Sequence, residues 1–117
     1  MDHSVLDDIK KLLGIDSEDD SFDIDISIMI NSAILALSQI GIGPKEGYTV
    51  TSKEDKWSDY LENTTTDVNN VKNYIYLKTR LIFDPPSNST VIESFNKNLQ
   101  ELEWRMMLNV ETNNLTK

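Results

Sequence analysis

Apolar residues recur three and four positions apart in four stretches of the chain, the period of a helix that buries one face. Val5, Leu6, Ile9, Leu12 and Leu13 define the first, a short helix over Ser4–Leu13. Asp2 or Ser4 can cap its start, and Gly14 supplies the stop. The second runs from Asp20 or Ser21 to Ile40, with Ile26, Ile30, Ala33, Leu37 and Ile40 in one seam. Ile28 and Leu35 lie on a different face, and Ile34 and Ala36 widen the apolar coverage. A helix apolar on most sides is expected at the centre of its domain. Gly41 ends it, and Gly43-Pro44 opposes its resumption. Val68, Val71, Tyr74, Ile75, Leu81 and Ile82, with Tyr76 and Leu77 beside them, predict a helix from Val68 to Phe83. Asp84-Pro85-Pro86 is its structural stop, because two prolines remove donors and bias Asp84 away from helical geometry. The last helix starts near Ser89 or Thr90, where Thr90-Val91-Ile92-Glu93 matches a capping box. Ile92, Phe95, Leu99, Leu102 and Met106 form its docking seam, and Trp104 and Leu108 share a second face. Glu111–Lys117 is polar and is expected to fray.

The segments between these helices are irregular. Ile42–Asp55 contains Gly43, Pro44 and Gly47, and Tyr48–Thr51 reads as a short strand or an extended loop. So long a connection without an apolar period is expected to be mobile in the free protomer and to order on contact with a partner. Gly43, Pro44, Lys45, Gly47 and Tyr48 are therefore candidate partner-contacting residues. Trp57, Tyr60 and Leu61 suggest one amphipathic helical turn, broken by Asn63–Asp67, where Thr66 or Asp67 can cap the next helix. The expectation is an all-α domain spanning 1–117: a small bundle of about four helices with one irregular glycine-containing loop, ordered over 4–110.

Composition narrows the chemistry. The 117 residues fit a single modest core, and 38% hydrophobic with 26% charged residues is the balance of a folding chain. No cysteine is present, which removes disulfides, thiolate metal sites and thiol nucleophiles; the single histidine, His3, leaves neither a zinc site nor a serine triad within one chain. Asp16, Glu18 and Asp20 alternate like the start of a calcium loop. However, Ser21 stands where the loop needs glycine and Ser27 where it needs a bidentate glutamate. The acids of this stretch read instead as a solvated connection that complements the positive end of the next helix. Glu101 and Arg105 suit a surface ion pair, and Asn63-Thr64-Thr65 and Asn88-Ser89-Thr90 match glycosylation acceptors with no secretion signal behind them. No catalytic set, metal or cofactor is called for. A net charge of −9 opposes tight binding to nucleic acid while remaining compatible with DNA that passes without sticking. No apolar run reaches the roughly 20 residues that span a bilayer, and the N-terminus lacks the order of a signal peptide, so a cytoplasmic protein is expected.

The large aromatics Trp57, Tyr76 and Trp104 allow two readings, core filling or anchoring to another subunit. One seam suffices to dock the last helix, so its second face, with Trp104 and Leu108, favours association.

The second half carries a more specific pattern. Val71-Lys72-Asn73-Tyr74-Ile75-Tyr76-Leu77-Lys78 leads into Arg80-Leu81-Ile82-Phe83-Asp84-Pro85-Pro86, and Leu102-Glu103-Trp104-Arg105 follows about fifteen residues later. Together with Leu12-Leu13-Gly14-Ile15-Asp16 and Ser38-Gln39-Ile40-Gly41, this resembles the head–tail connector, or head-completion, proteins of long-tailed phages and prophages. The likeness covers residues 4–110. It implies a non-enzymatic virion component, made in the bacterial host cytoplasm, that docks under the portal as a ring. The ring is commonly twelvefold and can form only on the portal; it bridges to a stopper or tail-side protein, and DNA passes through the lumen. A ring needs heterologous contacts, hence two different sticky faces per protomer, which the second helix and the Trp104 and Leu108 face could supply. Trp104, Arg105, Leu108 and Tyr76 become candidate interface residues, and the Gly43–Tyr48 loop a candidate lumen or partner element. The competing reading is a small acidic regulatory or inhibitor protein that binds a basic partner, which would array its acids in a regular double row.

Overall fold

The computed structural model describes residues 3–62 and 67–115. Its elements are α1 (Val5–Leu12), α2 (Asp23–Gln39), α3 (Trp57–Tyr60), α4 (Val68–Phe83) and α5 (Ser89–Leu115), and no strand forms among the described residues. Asp2, the Asn63–Thr66 break and Thr116–Lys117 lie outside them.

Helix α1 begins at Ser4, whose Oγ accepts from the Asp7 amide at 3.2 Å. Asp7 and Asp8 in its first turn and Lys10 and Lys11 in its last follow the helix dipole. The acid-rich connection to α2 closes its turns with its own carboxylates: Asp16 Oδ1 accepts from Glu18 N at 2.9 Å, and Asp19 Oδ1 from Ser21 N at 3.1 Å. The bonds from Ser21 hold the Asp19 carboxyl below the ordinary carboxylate range. Lys10 is buried beneath this connection. Its Nζ donates to the Ser17 carbonyl at 3.2 Å and stands 2.8 Å from Asp23 Oδ1, an ionic contact rather than an aligned hydrogen bond. It thereby ties α1 to the start of α2.

The α4 boundaries agree with those expected from the sequence. Asp67 caps the start by accepting from Asn69 N at 2.9 Å, and the helix ends at Phe83 before the proline pair. At the corner, the Asp84 amide donates to the Arg80 carbonyl at 2.9 Å, and the Arg80 guanidinium lies 5.4 Å over the Phe95 ring of α5. The opening of α5 differs in detail from the capping box read in the sequence. Asn88 is the cap: its Oδ1 accepts from Thr90 N at 2.8 Å and its carbonyl from Ile92 N at 3.1 Å, which puts Thr90 inside the helix. The helix continues to Leu115.

One expectation is corrected. The helix at the centre is α4, which packs against α1, α2 and α5, and it buries Val71, Tyr74, Ile75, Leu77 and Thr79. The buried seam of α2 runs through Ile26, Ile30, Ala33, Ile34 and Leu37, but Ile24, Ile28 and Leu35 are 79%, 63% and 62% exposed. The reason is that α5 docks on α4, so α2 is an outer helix with neighbours on its inner side alone. The core thus joins the inner faces of α1, α2, α4 and α5 to Trp57, Tyr60, Leu61, Ile42 and Val50 from the connections.

Candidate functional site

The long connection after α2 has no apolar period, yet side chains hold its second half. Asn31, on α2, brackets Val50: its Oδ1 accepts from the Val50 amide at 2.7 Å, and its Nδ2 donates to the Val50 carbonyl at 3.0 Å. Asp55 then gathers the bend. Its Oδ1 accepts from the Tyr48 hydroxyl at 2.7 Å, and its Oδ2 from the amides of Thr51 at 2.8 Å and Ser52 at 3.1 Å. Partial burial pushes the Asp55 carboxyl up, but these donors outweigh it and leave it below the ordinary range. Burial and the same carboxylate raise the Tyr48 hydroxyl well above its usual value. The Asp55 carbonyl accepts from Val5 N at 2.9 Å, and the His3 carbonyl accepts from Trp57 N at 3.1 Å, a single antiparallel bridge between Ser4 and Lys56. These bonds fix the path of the connection from Tyr48 to Asp55.

The tip is plainer. Gly47 N donates to the Pro44 carbonyl at 3.0 Å, and Lys45 and Gly47 are exposed. Gly43 has φ +94°, and a Cβ there would stand 2.8 Å from Tyr60 Cε1, so both backbone and space require glycine. Tyr48 stacks at a tilt on Tyr60, 5.4 Å between centroids, and that contact anchors the tip at its base. The candidate loop residues are therefore together at one edge, with Lys45 and Gly47 exposed, Pro44 half-buried, and Gly43 and Tyr48 packed on Tyr60.

The three aromatics divide. Trp57 belongs to the core: its Nε1 donates to Asp8 at 2.8 Å, and Lys72 Nζ stands 3.1 Å from the same carboxylate and 5.5 Å over the indole. Tyr76 is half-buried and accepts from Arg80 at 3.0 Å. With Arg105, Asn73, Asn98 and Leu102 it lines a groove between α4 and α5. Arg105 itself pairs with Glu101 one turn earlier, as the spacing suggested. Trp104 is 62% exposed and Leu108 41%, on the side of α5 opposite the buried Leu99 and Met106. Core filling is thereby ruled out for Trp104, and the Trp57–Leu61 turn does not cover it. The four candidate interface residues fall on two neighbouring surfaces, a groove with Tyr76 and Arg105 and an outer face with Trp104 and Leu108.

The sequence put Ile28 and Leu35 on a second face of α2, but not Ile24 with them, and expected neighbours on several sides where the structure leaves an exposed strip of all three. Its four- and seven-residue spacing is visible along the chain, but it reads equally as contact on a second side of a central helix. Many acids are committed internally: Asp8 to Trp57 and Lys72, Asp23 to Lys10, Asp55 and Asp59 to loop amides, Asp67 to a cap, and Glu103 to the Tyr74 hydroxyl at 2.7 Å. Burial first and Glu103 second raise that hydroxyl above its usual value. Among the described residues no three acids or histidines gather into a set that could hold a metal ion, and no helix is long and apolar enough to cross a membrane.

A family model described as phage connector protein matches residues 5–113. No curated protein and no solved structure matches the chain.

Proposed function

The chain belongs to the phage connector protein family, a structural rather than catalytic family that interacts with other head and tail proteins, and from that premise we propose that copies of it dock as a ring under the portal and bridge it to a stopper or tail-side protein. The observation that carries this reading is the outward placement of large apolar side chains on both outer helices. A chain whose task is assembly keeps such surface for partners, whereas a free-standing domain has every reason to bury it. The groove with Tyr76 and Arg105 and the loop tip at Pro44–Gly47 offer polar contacts to the proteins above and below. DNA passes through the ring lumen, and a surface of net charge −9 lets a polyanion slide without holding it. Membership in the family supports a location in the virion; assembly in the host cytoplasm follows from the proposal.

The test is deletion of the gene in the phage or prophage that encodes it. Filled or leaking heads beside complete but unattached tails, with the protein present in parental virions by mass spectrometry, are the expected result. Normal yields of infectious particles from the deletion would overturn the reading.

A further inference from the structure

Two apolar surfaces of this chain stand exposed on two different helices. The α2 strip of Ile24, Ile28 and Leu35 lies opposite that helix's buried seam, and on α5 Trp104 and Leu108, with Met107 at their edge, turn away from the seam that packs on α4. Neither can cover the other within one chain. We propose that the α5 patch of one copy packs on the α2 strip of the next, a heterologous contact between copies that rests on the connector reading given above.

A second copy is the occupant that satisfies both surfaces with one repeated contact. A two-fold dimer would bury one surface and leave the other in water. Charge selects the same pairing. Acids border the α2 strip, Asp20 and Asp25, so strip against strip sets like charges together. On the α5 patch Arg105 is held by Glu101, and Glu111 stands at the far end, which leaves Lys97 as the base that Asp20 or Asp25 can meet. Size adds a condition. Three partly exposed side chains offer roughly 300 Å² from each copy, well below the roughly 800 Å² per partner of a stable interface. The contact is therefore too small to hold free copies together, and it forms where a common platform already sets them side by side.

The chain has no cysteine, so introduced thiols report without background. Ile28→Cys with Leu108→Cys places one thiol on each surface, and both positions are exposed enough to leave the fold alone. In virions built with the double variant, a short bis-maleimide should produce a ladder of covalent multimers on denaturing gels. Either single variant should stay monomeric, and so should the dilute, free double variant. Dimers from a single variant would show a surface meeting itself and overturn the pairing. A double variant present in virions without a ladder would overturn it too, and a ladder from dilute free protein would overturn the need for a platform. Should that variant fail to enter virions, Ser32→Cys with Gln100→Cys, on the polar margins of the same faces, takes its place, and a ladder or its absence carries the same meaning. Parental protein missing from virions altogether would instead overturn the connector reading, and the contact with it.

Discussion

Removal of the Asn31 side chain should release the loop from α2 at a measurable cost. Asn31→Ala deletes two hydrogen bonds, 2.7 and 3.0 Å long, that together satisfy both polar groups of Val50. Val50 is buried, so its amide and carbonyl lose their partners in a place that water reaches poorly. Each bond contributes about 1 kcal/mol net, and a buried group left unpaired adds about 1–3 kcal/mol. Asn31 itself is half-buried, so some water entry offsets part of the loss. The sum is roughly 2–4 kcal/mol. A chain of this length loses roughly 3–6 °C of melting temperature per kcal/mol, so the expected fall is about 6–24 °C. Asn31→Asp keeps the acceptor for the Val50 amide and loses the donor to its carbonyl, so it should fall between parent and alanine variant. Urea and thermal unfolding followed by circular dichroism give the free energies, and hydrogen exchange at the Val50 amide reports the local bond. An alanine variant within about 0.5 kcal/mol of the parent, with Val50 still protected, would refute the claim that Asn31 holds the loop.

Trp104→Ala with Leu108→Ser should leave monomer stability within about 0.5 kcal/mol in urea, as changes at exposed positions do, while heads fail to join tails; a loss near the roughly 3–5 kcal/mol of a large-to-small core change would defeat the outward placement. Pro85→Ala should be mild, whereas replacing Pro85 and Pro86 together should cost about 1–2 kcal/mol through the freer unfolded chain, loosen the α4–α5 corner and reduce particle yield; undiminished assembly would count against a role for the corner. Asp55 has a folded-state pKa below its unfolded value of about 3.9, so its stabilising contribution is present above that pH and is lost as pH falls through the lower folded value. Asp55→Asn should accordingly be less stable than the parent at neutral pH, with the gap narrowing below about pH 4; a gap that stays constant down to about pH 3 would refute the carboxylate's role.

Where local signals agree, the chain is legible. Asp67 as a cap, a helical apolar period and two prolines after Asp84 all point to one α4, and its boundaries match. The seams of α2 and α5 and the divergent face of Trp104 and Leu108 follow from spacing alone. What escapes depends on neighbours that spacing does not reveal. Trp57 and Trp104 are the same residue type on amphipathic segments, yet one is buried against Asp8 and Lys72 and the other stands in water. The apolar breadth of α2 suggests a central helix until the docking of α5 on α4 makes it a flank. The loop clamp is invisible because it links Asn31 to Val50 across 19 positions and Asp55 to its donors by side-chain-to-backbone bonds. At the start of α5, Asn88 and Thr90 are both competent caps, and the turn after the prolines brings Asn88 into place.

The meeting of Lys10 and Asp23 constrains how this chain can drift over generations. A lysine with 1% of its side chain exposed is tolerated because one carboxylate, 2.8 Å away, and one carbonyl, that of Ser17, answer its charge. Loss of Asp23 alone strands a buried cation, whereas loss of Lys10 alone leaves a carboxylate that is 29% exposed and sits in the first turn of α2, where water and the helix dipole still answer it. The first step is therefore the costly one. Descendants should lose Lys10 no later than Asp23. Aligned relatives should seldom show lysine at position 10 without an acid at position 23, while the exposed Glu18 of the turn between them exchanges freely.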